Sequence, residues 1–205
     1  MIISIDMLEK EHKRCSDGGL TVEYRKLLDA LDSYPLTQEL INYLCSVIIS
    51  KRHIWEIRFD HLRPLLLNPT ARSFDLQAFY LERFKRSRRL CMRMYFLRGY
   101  AMYAAPEDVA ILCDRFEAAL RKGHDYIDYM DIMSENGLLY LVRTYDYTCF
   151  HSAWKTAQEE YEKINPLLRG YQTTNECLRH VQLLSHAEVY RRQQMVIREL
   201  QMKNR

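Results

Sequence analysis

Glycine and proline are scarce in this chain, six and five in 205 residues, against a usual combined share of about 12%. Architectures of short strands and tight turns use those residues at positive-φ corners, so the deficit argues against a turn-rich β fold and for helices. Long apolar runs are also missing. No segment approaches the roughly 18 residues of a membrane span, and the mean hydropathy is −0.38, so no membrane partner is expected.

Chemical signatures are absent as well. No GxGxxG or GxxxxGK[ST] occurs, which argues against the familiar glycine loops that cradle phosphates. The six cysteines, at 15, 45, 91, 113, 149 and 177, stand apart with no CxxC, and read as small buried hydrophobes in a reducing compartment. Asn68 precedes Pro69 and is no glycosylation acceptor, while the first residues lack the basic start and apolar run of a secretory leader. The expected location is the cytoplasm or nucleus.

What is present is helical periodicity on a scale that allows a sizeable core. A short helix over Asp6–Cys15 stops at Gly18-Gly19, and Thr21 caps a second over Val22–Leu31. Leu40, Ile41, Leu44, Cys45, Ile48 and Ile49 form a stripe after Thr37. Ile54, Ile57, His61 and Leu62 continue it past a break near Lys51-Arg52-His53, with a kink at Pro64 and an end at Asn68-Pro69.

Ser73 is expected to cap one long helix reaching Ala104, and Pro106 opens the next, which runs to Gly123. Shorter helices follow over Asp125–Ser134 and Leu138–Tyr147, the latter with a strand as its alternative. Ser152 caps Ala153–Ile164, and a capping box at Thr173-Thr174-Asn175-Glu176 opens a terminal helix, 174–205, that protrudes or mediates a homodimer. The expected fold class is all-α: one compact domain over 1–205, of seven or eight helices packed as antiparallel pairs.

One segment stands out by charge. Between Phe79 and Tyr103 lie seven Arg or Lys, seven Phe or Tyr and a single acid, Glu82. The segment carries +6 in a chain whose total is +3, so the remainder carries −3. On a continuous helical wheel Lys85, Arg86, Arg88, Arg89 and Arg93 fall opposite the apolar stripe, while Arg83 and Arg98 lie near it. Such a face suits an acidic protein surface, RNA phosphates, or the chain's own acidic stretch Asp125, Asp128, Asp131 and Glu135.

Three functional readings follow. The first is a non-enzymatic adaptor or complex subunit that binds a protein partner through this basic face and through the aromatics Trp55, Tyr95, Tyr100, Tyr103 and Trp154. The second is RNA binding, with the same cations on phosphates and the tyrosines stacked on bases. The third is a small metal-dependent enzyme using Asp125, Asp128 and Asp131. Cys149-x-His151 and Cys177-x-x-His180 lack the paired spacing of structural zinc, and Leu62-Arg-Pro-Leu65-Leu66, though an LxxLL string, reads as core. No catalytic residue, cofactor or metal ligand is assigned.

Overall fold

The computed structural model describes residues 3–15, 19–50, 52–122 and 126–164, the side chains of 126, 127 and 164 excepted. Ten α-helices and no strand occur among the described residues, as expected for the all-α class. The count exceeds eight partly because the long helix expected after Ser73 is two. The expected terminal helix 174–205, with Cys177 and His180, lies outside the described residues. The chain divides into two units, Met1–Lys85 and Arg86–Arg205.

The first unit holds α1 (Ile5–Lys13), α2 (Val22–Ala30), α3 (Gln38–Ile49), α4 (Trp55–Leu67), a 3-10 turn (Pro69–Ser73) and α5 (Gln77–Arg86), which ends one residue past the division. Its starts follow capping chemistry. The hydroxyls of Ser4, Thr21 and Thr37 accept hydrogen bonds from the amides of Met7, Tyr24 and Leu40 at 3.2–3.3 Å, satisfying donors that have no intrahelical acceptor. Leu8, Leu28, Leu31, Ile41, Leu44 and Leu65 are fully enclosed and form the core.

Helix α4 runs through Pro64 and ends at Asn68 as expected; the missing N–H of Pro64 deprives only the Asp60 carbonyl of its intrahelical donor. One local expectation needs correction. Ser73 does not cap α5: it closes the 3-10 turn, and the Asp75 carboxylate accepts the Gln77 amide at 3.3 Å instead. The LxxLL string is core, with Leu62, Leu65 and Leu66 buried.

Asn68 is the clamp of this unit. Its side-chain amide donates to the carbonyls of Leu31 and Tyr34, both at 2.6 Å. Its carbonyl accepts from the Thr70 amide and hydroxyl at 2.8 and 2.7 Å. One 2%-exposed side chain thus ties the end of α2 to the end of α4 and starts the 3-10 turn.

The second unit holds α6 (Leu90–Ala101), α7 (Pro106–Leu120), α8 (Tyr126–Ile132), α9 (Leu138–Tyr145) and α10 (Thr148–Ile164). Helices α7 and α10 pack most closely, and α6 lies against α7, α8 and α9. Phe116, Leu120, Tyr129, Ile132, Leu138, Leu141 and Phe150 are completely buried.

Residues 138–145 are helical rather than extended. Helix α10 begins at Thr148, earlier than a Ser152 cap would place it. Asp146 turns left-handed at φ 50°, and the Tyr147 carbonyl accepts the amides of Phe150 and His151. At Gly137 a Cβ would sit 2.2 Å from the Ile132 carbonyl oxygen, so the α8–α9 turn admits no side chain there.

Replacing Asn68 by Ala removes four hydrogen bonds and leaves buried carbonyls unmatched. The expected loss is about 2–4 kcal/mol of unfolding free energy, measured by urea denaturation. A loss below about 0.5 kcal/mol would contradict the clamp.

Candidate functional site

The basic segment is broken at Ser87–Arg89, where α5 has ended and α6 has not begun. This interruption resets the helical phase, so the wheel drawn through residues 79–103 does not describe the molecule. Helix α6 is buried on nearly every side: eleven of its twelve residues are buried and Arg93 is half-buried. Tyr95 and Tyr100, expected to face a partner, are core residues at 5% exposure each. Tyr103 is half-buried.

The cations divide by role. Arg93 Nε donates to the Ser87 carbonyl at 2.9 Å, closing the break onto the first turn of α6. Arg89 Nε lies 3.3 Å from Asp128 Oδ1 on α8, so the acidic stretch does supply an internal partner to the basic one. Arg98 is 2% exposed. Its guanidinium carbon stands 3.7 Å over the Tyr140 ring, and Nη1 donates to the Asn136 carbonyl at 2.8 Å. Burial lowers the Arg98 pKa, and Tyr140, Tyr95 and Tyr145 oppose that; cation–π contact and a carbonyl hold the charge.

Lys85, Arg86 and Arg88 remain exposed. They form a short linear run at the end of α5 and in the break, with Ser87 half-buried between them. Of the two tryptophans assigned to the site, Trp55 on α4 is half-buried and Trp154 on α10 is buried at 6% exposure. Neither forms part of this run. Asp125 lies outside the described residues, and among the described residues no three His, Cys, Asp or Glu side chains converge as a metal ion would require.

A second polar assembly, in the first unit, was not foreseen. His61 is completely buried and its Nδ1 lies 2.7 Å from the Ile57 carbonyl, an obligate acceptor. Nδ1 therefore carries the proton, and Nε2 accepts from the Tyr24 hydroxyl at 2.6 Å. Tyr24 in turn accepts from Tyr43 at 2.6 Å, and Tyr43 accepts from His12 Nδ1–H at 3.2 Å. Every proton has one place, in a chain that ends at a backbone carbonyl. His53 adds a ring 4.8 Å from that of His12.

Burial lowers the His61 pKa to about 4, with the Ile57 hydrogen bond opposing and the neighbouring His12 and His53 assisting. Burial also lowers His12, reinforced by His53 and opposed by Glu9, and lowers His53, reinforced by Arg58 and Arg52. Burial raises Tyr43 to about 12. The assembly is a neutral network at physiological pH. Its sequence signal was a histidine at a stripe position of α4 and a tyrosine at one of α2, but the pairing between helices carried no local mark.

No protein-family profile, curated protein or solved structure matches this chain. Among the described residues no helix is long and apolar enough to cross a membrane.

A histidine whose folded pKa is depressed leaves the unfolded chain binding more protons between the two values, so stability drops as the pH is lowered across that interval. Unfolding of the first unit, followed by Trp55 fluorescence in a Trp154→Phe background, is expected to weaken steadily from about pH 6.5 towards 4, by roughly 3 kcal/mol at the lower limit. Asp32 and Asp60, whose carboxyl pKa values burial raises, act in the opposite direction at the acid end. His61→Gln is expected to flatten the slope between pH 6.5 and 5; an unchanged slope would exclude His61 as its source.

Proposed function

We propose that this chain is a non-enzymatic interaction module, an adaptor or subunit of a larger assembly, whose recognition element is the linear run Lys85–Arg88 and whose ligand is an acidic protein segment. The observation that supports this reading is the separation of charge from aromaticity. Lys85, Arg86 and Arg88 face solvent, while Tyr95 and Tyr100 are enclosed. Single-stranded RNA recognition draws affinity from bases stacked on exposed aromatics beside cations, and those two tyrosines do not offer that platform. A carboxylate-rich peptide needs no such platform, since guanidinium groups bind carboxylates in bidentate geometry.

Exposed charges of this kind raise the association rate and make affinity depend on salt. Arg89 and Arg93 are better assigned to the fold than to the partner, because each is engaged by its own unit. The homodimer reading rested on residues 174–205, which lie outside the described residues.

Affinity purification from nuclease-treated cell extract is expected to recover a defined protein with the wild-type chain. Lys85→Glu/Arg86→Glu/Arg88→Glu is expected to lose it, with the helical circular-dichroism spectrum retained. A partner retained by the triple variant, or removed by nuclease, would contradict the proposal. A wild-type gel shift of RNA at 50 mM salt that the triple variant abolishes would replace it with the RNA reading.

A further inference from the structure

Two cysteines that are 36 residues apart in sequence meet between the closest-packed helices of the second unit. Cys113, on α7, is completely buried, and Cys149, in the first turn of the 17-residue α10, is half-buried. The Cys113 thiol donates to the Cys149 carbonyl oxygen at 3.3 Å, which sets its sulfur directly against Cys149, and the two thiols influence each other's ionisation. Both thiols are reduced. The pair therefore has one inner, enclosed sulfur and one outer sulfur with access to solvent.

The surroundings of the two sulfurs differ. Around Cys149 the neighbouring Cys113 thiol favours the thiolate most, burial opposes it, and Asp114 opposes it further. The amides of Phe150 and Cys149, at the amino end of α10, add donors, and the net direction is a lowered pKa. Cys113 shifts upward, first through its contact with Cys149, then because it is buried, and because Cys149, Asp114 and Glu117 present negative charge. Elsewhere burial pushes Cys45 and Cys91 up to about 12, so they remain protonated and unreactive.

We propose that Cys149 and Cys113 form a peroxide-responsive dithiol, with Cys149 the attacking and Cys113 the resolving cysteine. The Cys149 thiolate attacks one oxygen of hydrogen peroxide. The S–O bond forms as O–O breaks, and the departing hydroxide takes a proton to leave as water. Cys149 becomes a sulfenic acid. The Cys113 sulfur then displaces its hydroxyl: S–S forms, S–O breaks, and the Cys113 proton leaves with that oxygen as a second water. Two thiols lose two electrons and one peroxide gains them. The product covalently joins α7 to α10, and a dithiol reductant reverses it.

The full chain is treated with equimolar hydrogen peroxide, alkylated with N-ethylmaleimide, digested without reductant and analysed by mass spectrometry. The expected dominant product is the Cys113–Cys149 linked peptide, removed by dithiothreitol. Cys113→Ser is expected to stop at a Cys149 sulfenic acid that dimedone labels, and Cys149→Ser to lose the reaction. Linkage through any other pair, or oxidation elsewhere with Cys149 intact, would overturn the proposal. Native alkylation of the wild type by iodoacetamide provides a check that needs no variant: Cys149 is expected to react at least tenfold faster than Cys45 and Cys91, and equal rates would also overturn it.

Discussion

The break at Ser87–Arg89 is the constraint on which the reading of this molecule depends. A single helix through residues 79–103 would have to place its cations and its aromatics on fixed faces, 100° apart per residue. Interrupting it frees α6 to bury Met94, Tyr95, Leu97, Tyr100 and their neighbours while Lys85, Arg86 and Arg88 stay exposed. The break is held by its own charges. Arg93 reaches back to the Ser87 carbonyl and Arg89 reaches Asp128, so cations that composition suggested were a binding face are partly the fastening of the fold.

Both units place polar groups in their interiors and match most of their atoms, the Nε of Arg98 being an exception. In the first, the Asn68 amide and the His12–Tyr43–Tyr24–His61 chain satisfy donors and acceptors across α1 to α4. In the second, Arg98 is enclosed against Tyr140 and the Asn136 carbonyl. A buried polar group left unmatched costs about 1–3 kcal/mol, so each such network selects one packing over alternatives that an apolar core would tolerate.

Much of the fold was legible in residue spacing. Thr21, Pro106 and Asn68-Pro69 are local signals whose chemistry acts within a few residues, and helix boundaries appear where they indicate. Of the α3 stripe, Leu40, Ile41, Leu44 and Ile48 likewise point inward, while Ile49 is exposed. The break at Ser87–Arg89 had no such mark: it contains neither glycine nor proline, and Arg and Ser are compatible with helix. Tertiary burial of α6 decided it. For the same reason the assignments of Tyr95, Tyr100 and Trp154 to a surface failed, since a tyrosine or tryptophan at helical spacing reads the same whether a neighbouring helix or solvent lies over it. Contacts such as Tyr24 with His61, or Cys113 with Cys149, join residues more than 35 apart and leave no pattern in a single sequence.

The central claim is that the cations of one short segment have separate duties, some internal and some external. Urea unfolding of four single alanine variants, at Lys85, Arg88, Arg93 and Arg98, tests it most directly. The account predicts midpoints within error of wild type for Lys85→Ala and Arg88→Ala. It predicts a clear loss for Arg93→Ala and the largest, about 2–4 kcal/mol, for Arg98→Ala, which leaves a cavity and an unmatched carbonyl. Equal effects at all four positions would contradict it.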